Sequence, residues 1–203
     1  SIVASGSNAT TLHYMKNDDP ISKGEMMLMD FGVRWMTMHA DITRSFPVSG
    51  KFNPMQKMLY EIVLRGQREV EKAARAGVTI DELNNVCWAV INDGLEKKFV
   101  AAGGKYELRY KDRPHGVSHL MGEQEHDGDP FRNYLKQPMM PGWMISNEPG
   151  LYGEFKIRLD GKTYDETIGI RIEDNLVMTQ KGCMNLSNII PKSVRAIEKL
   201  MKG

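Results

Sequence analysis

Thr167-Ile168-Gly169-Ile170-Arg171-Ile172-Glu173-Asp174-Asn175-Leu176-Val177-Met178 places isoleucine at every second position of its first half. That alternation marks a β-strand, whose side chains point in turn to opposite faces. Ile168, Ile170 and Ile172 fall on one face, Arg171 and Glu173 on the other. Charges on so apolar a strand call for partners, because an unpaired buried charge is costly or neutralises.

Upstream, Trp143 to Asn147 gives another strand, ending at the turn signal Glu148-Pro149-Gly150. Gly153 to Thr167 is polar and reads as a surface loop. Glu25 to Val33 and Trp35 to Val48 are two apolar runs with Gly32 between them, which predicts an antiparallel pair. Ile2 and Val3 read as part of a strand already in progress. The middle of the chain is helical. Pro54 suits a first helical turn, and Met55, Met58, Leu59, Ile62 and Val63 recur at helical spacing up to Gly77. Thr79 and Glu82 form a capping box for a second helix. Its stripe is Leu83, Val86, Cys87, Val90, Ile91 and Leu95, and Gly103-Gly104 stops it. Pro191 to Lys202 reads as a terminal helix. Strands, then helices, then strands predict an α+β domain: a curved antiparallel sheet with helices on its outer face.

The composition agrees. A chain of 203 residues, 41% hydrophobic and 26% charged, suffices for one sizeable globular domain. The 27 basic and 26 acidic side chains nearly cancel, which argues against a general nucleic-acid footprint. No run approaches the roughly 20 apolar residues of a membrane span. The distant Cys87 and Cys183 form no CxxC pattern, so the chain reads as a reduced, cytoplasmic protein without a disulfide framework. The 15 methionines read as adaptable core filler.

Five positions resist explanation as plain surface: Asp30, Asp41, His119, Glu148 and Glu173. Singly, each has an ordinary reading as a salt bridge, a core histidine or a solvated strand end. Together, four carboxylates and one imidazole form an oxygen-rich donor set: the carboxylates suit Mn, Mg or Ca, and the imidazole tolerates Mn, Co, Fe or Zn. Their charge suffices for two divalent ions, the arrangement that activates water for hydrolysis.

Six segments in order carry a resemblance: Asp30-Phe31-Gly32, Asp41-Ile42-Thr43-Arg44-Ser45-Phe46-Pro47, His115-Gly116-Val117-Ser118-His119, Glu125-His126-Asp127, Asn147-Glu148-Pro149-Gly150-Leu151-Tyr152 and Gly169-Ile170-Arg171-Ile172-Glu173-Asp174, with Leu12-His13-Tyr14 ahead of them. The chain resembles the pita-bread metallopeptidases, in the branch of Xaa-Pro aminopeptidases and prolidases. The eleven-residue step from Asp30 to Asp41 and the seven-residue step from His119 to His126 match as well. The resemblance implies that Asp41 and Glu173 bridge two metal ions, foremost Mn²⁺ with Co²⁺ or Zn²⁺ as alternatives. It implies that Asp30 holds one ion, and His119 with Glu148 the other. Glu148 would also shuttle a proton and His126 would stabilise the tetrahedral intermediate. His13 and His115 would line the pocket, and Arg171 would orient a carboxylate ligand. The implied substrate is a small peptide with proline second, with no nucleic-acid or membrane partner, and the full-length protein is expected to be a homo-oligomer. An Xaa-Pro dipeptidase and a non-catalytic peptide- or protein-binding module on the same fold are the alternatives.

Three departures from the family pattern stand out, one of them the polar stretch Gly153 to Thr167, read as an insertion between two ligand strands, near the site mouth and placed to tune specificity. Residues 1–203 read as a single catalytic domain truncated at its N-terminal side. Gly122-Glu123-Gln124-Glu125-His126 is more acidic than the family's usual segment, which we read as solvated carboxylates.

Overall fold

A computed structural model describes every residue except 112. The first sheet is β1 (Ile2–Ser5), β2 (Met26–Trp35) and β3 (Met38–Pro47), antiparallel in that order. β2 and β3 pair from Met26 opposite Pro47 to Trp35 opposite Met38, so the turn is Met36-Thr37, with Met36 at φ 54°. Gly32 therefore does not separate the two runs. It lies inside β2 opposite Asp41, where a Cβ would sit 1.8 Å from the Ala40 carbonyl oxygen. Close strand approach, and not a turn, demands the glycine there.

Two helices follow. In α1 (Pro54–Ala73), Asn53 caps the start reciprocally with Gln56, and Pro54 occupies the first turn. α2 (Ile80–Gly94) opens with the Thr79–Glu82 capping box read from the sequence and runs on into a π-helical turn over Leu95–Val100. Val86 is exposed, and Trp88 joins Leu83, Cys87 and Ile91 on the buried face. The helices pack on each other and on the strands that follow.

The second half forms two further antiparallel sheets. One has the order β4 (Lys105–Leu108), β7 (Gly150–Leu159), β8 (Lys162–Arg171). The other has the order β10 (Cys183–Asn185), β9 (Asp174–Met178), β6 (Met144–Asn147), β5 (Leu120–Met121). The α+β class holds, with the sheet divided into three hydrogen-bonded pieces. The terminal helix is the shorter α3 (Val194–Leu200).

Three local expectations are corrected. Gly153 to Thr167 is not a loop but most of the β7–β8 hairpin, turned at Asp160-Gly161, both at positive φ. Phe155 and Ile157 are buried while Glu154, Lys156 and Arg158 face solvent, so one polar face hid the alternation. Glu148-Pro149-Gly150 makes no turn; the chain runs on from β6 to β7 and changes sheet. The run from Thr167 to Met178 likewise divides between β8 and β9, with Ile172-Glu173 as the link.

Ile168, Ile170 and Ile172 are buried in one core cluster with Leu59, Ile62 and Ile91 of the helices. The helices thus cover one face of the strands, while Arg171 and Glu173 look into a cavity on the other.

Candidate metal centre

That cavity has a volume of about 720 Å³. Asp30 and Asp41 enter it from the β2–β3 hairpin, where Asp30 opposes Thr43 and Asp41 opposes Gly32. Two residues apart in register, they share a face. His119, just before β5, enters from a different sheet. Glu148 and Glu173 each sit in one of the two-residue links where the chain changes sheet.

Single donor atoms of Asp41, His119 and Glu173 lie within 4.8 Å of one another. His119 Nε2 is 3.8 Å from Asp41 Oδ2 and 3.5 Å from Glu148 Oε1. Its Nδ1 lies 3.2 Å from the Leu120 carbonyl, which accepts a hydrogen bond from the Nδ1–H and leaves the Nε2 lone pair facing the two carboxylates. Burial holds the ring neutral, with its pKa pushed down to about 4.

The carboxylates are crowded. Burial, then the charge of Asp30, pushes Asp41 up to about 8. Burial pushes Glu148 up to about 7 and Glu173 well above the usual range. Glu173 is 1% exposed, and its Oε1 has no hydrogen-bond partner. A lone pair facing carboxylates, a buried orphan oxygen and mutually repelling acids are what a divalent cation relieves. The residues fit such ions.

Surrounding groups hold the donors in place. Thr43 Oγ1 donates to Glu173 Oε2 at 2.7 Å, and Arg171 Nε donates to Thr43 Oγ1 at 3.1 Å. Arg171 Nη2 pairs with Asp30 Oδ2. Asn175 grips the backbone of Asp41 from both sides, accepting its N–H and donating to its carbonyl. Ser146 accepts the His119 N–H at 2.9 Å and donates to Glu148 Oε1 at 3.3 Å. Arg171 also donates to the Tyr152 hydroxyl at 3.2 Å, and that oxygen lies 3.1 Å from His115 Nε2. His115 Nδ1 donates to the Gly116 carbonyl, and burial pushes the ring's pKa down to about 4.

His13, His115 and His126 all line the cavity, and the His126 ring centroid lies 4.3 Å from that of His119. Glu125 is exposed yet stands in the same wall, where its charge helps push Asp41 and Glu148 up. Thr43, Ser146, Tyr152 and Asn175 had no assigned role in the sequence reading. Thr43 and Tyr152 lie within the quoted segments, and Asn175 directly follows one of them; that placement was the available signal.

The sequence profile of metallopeptidase family M24 matches residues 1–180. The chain is 35% identical over 208 residues to the Xaa-Pro aminopeptidase of Escherichia coli, covering 99% of this chain and 46% of that protein. It is 34% identical over 202 residues to the mitochondrial intermediate cleaving peptidase 55 of Arabidopsis thaliana, covering 100% of this chain and 40% of that protein. It thus spans less than half the length of these relatives. Zinc-substituted E. coli aminopeptidase P in complex with product superposes with a TM-score of 0.83 at 32% identity, over 99% of this chain and 46% of that one. Pseudomonas aeruginosa aminopeptidase PepP gives 0.80 at 33% identity, over 99% and 47%. With the profile spanning nearly all of a sequence whose acidic donors converge in one cavity, the chain belongs to metallopeptidase family M24.

Proposed function

We propose that this chain carries the active site of a metal-dependent exopeptidase that hydrolyses the bond before proline, as an Xaa-Pro aminopeptidase. The observation that carries the reading is the meeting of His119 Nε2 with Asp41, Glu148 and the orphaned Glu173 in one cavity. The name of the E. coli relative, an Xaa-Pro aminopeptidase, supports the specificity. Asp30, Asp41, His119, Glu148 and Glu173 would hold two divalent ions. Manganese is favoured by so many oxygen donors, with cobalt or zinc as alternatives. When bound, such ions lower the pKa of a water and polarise a carbonyl oxygen.

The remaining work falls to side chains. Glu148 Oε1 is engaged by Ser146, so Oε2 is the atom free to take a proton from the attacking water. The water oxygen bonds to the carbonyl carbon, the C–N bond breaks, and the proton passes from Oε2 to the proline nitrogen, which leaves as a secondary amine. His126 offers an N–H to the oxygen of the tetrahedral intermediate. His13 and His115 flank the proline, and the Arg171–Tyr152 hydrogen bonds fix the tautomer of His115. Arg171 holds Asp30 in place.

The test is hydrolysis of Xaa-Pro-Yaa, Xaa-Ala-Yaa and Xaa-Pro by the Mn²⁺-loaded chain. Release of the first residue from Xaa-Pro-Yaa alone, lost in Glu148→Gln, supports the aminopeptidase. A chain that binds metal and cleaves none of the three is a binding module instead. Arg132 in the cavity wall favours the second reading, a dipeptidase that grips a free carboxylate; that enzyme prefers Xaa-Pro.

A further inference from the structure

Behind Glu173, on the side away from the cavity, lies a second charged cluster that the reaction does not use. All five N–H groups of Arg44, which is 6% exposed, are engaged. Nη1 donates to the carbonyls of Thr43 and Glu173, and Nη2 to Asp174 Oδ1 at 2.7 Å and to the Ile190 carbonyl. Nε donates to the Pro191 carbonyl at 3.0 Å. Asp174 is fully buried; its Oδ2 accepts from Gln67, Asn185 and Lys192. The remaining Lys192 donors go to Gln67 Oε1 and Glu71 Oε2. The cluster thus joins β3, α1, the β8–β9 link and a tail segment beyond the 180 residues that the family profile matches.

Its geometry has one focus. The Glu173 N–H donates to the Thr43 carbonyl, the Glu173 carbonyl accepts from Arg44, and the Glu173 carboxylate accepts from Thr43. Arg44 holds both carbonyls at once, so this guanidinium braces the direct bonds between β3 and the link. A lysine has no planar fork to reproduce that grip. Lys192 supplies the second positive charge and pairs with Asp174 Oδ2.

We propose that Arg44, Asp174 and Lys192 form a clamp that positions Glu173, so that the tail carrying Lys192 is a working part of the metal centre. Arg44 and Lys192 are positioning residues and touch no substrate. The inference rests on the reading of Glu173 as a ligand.

The experiment is calorimetric titration of the whole metal-free chain with Mn²⁺ alone, beside its melting temperature. Lys192→Met is expected to weaken Mn²⁺ binding about 3- to 10-fold, below the roughly 10- to 100-fold lost when a group bonded directly to a ligand is removed, because Lys192 reaches Glu173 through Asp174 and Arg44. Lys192→Arg is expected to restore most of that loss. Leu59→Ala, a core truncation in α1, is expected to lower the melting temperature yet keep wild-type affinity. Should Lys192→Met not fold, Asn185→Ser removes only one donor to Asp174 and is expected to weaken binding about threefold. Wild-type affinity in the folded clamp variant, or an equal loss in Leu59→Ala, overturns the clamp. Glu173→Gln separates the two ideas: if it binds Mn²⁺ like the wild type, the ligand reading itself has failed. If it loses Mn²⁺ while the clamp variants keep it, only the clamp has failed.

Discussion

The two sides of the cavity are built differently. Asp30 and Asp41 stand on a hairpin whose far end is bare, with Val33, Trp35 and Met36 between 66% and 80% exposed. Glu173 and Asp174 stand where three elements converge and are at most 1% exposed. One side is held by its own strand pairing and by two side chains, Asn175 on Asp41 and Arg171 on Asp30; the other is held by a denser lattice of side chains from distant parts of the sequence. A site with one fixed wall and one accessible wall can keep its donors in register while admitting a peptide.

Several substitutions sharpen the contrast. On the fixed side, Glu173→Gln is expected to cut hydrolysis of Xaa-Pro-Yaa at least about 100-fold, since losing a ligand should exceed the loss from a supporting group. A variant within threefold of wild type would remove the asymmetry. On the hairpin, Gly32→Val forces side-chain atoms against the Ala40 carbonyl and is expected to cost about 2 kcal/mol in urea unfolding. An unchanged midpoint would mean that β2 and β3 can separate at little cost.

A smaller effect concerns pH. In the metal-free chain Asp41, pushed up to about 8, and Glu148, pushed up to about 7, keep protons that the unfolded chain has released. Their contribution is complete below the unfolded pKa near 4 and is lost as pH rises through the folded values. His115 and His119, pushed down to about 4, act in the opposite direction below about 6.5, the unfolded value. The melting temperature of chelator-treated protein should therefore fall from pH 6.5 to 8, and saturating Mn²⁺ should flatten that fall. A rise over this window would contradict the crowding of the carboxylates. Least of all, Trp35→Ser at the exposed hairpin end should leave unfolding within about 0.5 kcal/mol of wild type, by the same urea measurement.

The sequence was most legible where a charge interrupts an apolar period. Asp30, Asp41, Glu148 and Glu173 stand out against isoleucine, methionine and valine, and the structure turns them all toward one cavity. The capping boxes of α1 and α2 depend on neighbours three residues apart; Thr79 and Glu82 were readable for that reason. The β7–β8 hairpin was not, because Glu154, Lys156 and Arg158 on its solvent face outweigh Phe155 and Ile157 in a composition count. The division of the last long strand was hidden as well, since the alternation runs unbroken through Ile172 and Glu173. Arg44 and Lys192, 148 positions apart, meet only in the folded chain; no local window contains both.

Both links that carry a carboxylate, Glu148-Pro149 and Ile172-Glu173, are two residues long, and they touch each other through the Ile172 N–H and the Pro149 carbonyl. A strand's side chains alternate, so deleting or inserting one residue in either link would turn its carboxylate to the opposite face. The turn at Asp160-Gly161 lies at the far end of the same two strands and carries no such penalty. Length variation among related chains should therefore collect at that turn and spare the links, which act as fixed spacers in the evolution of this sheet.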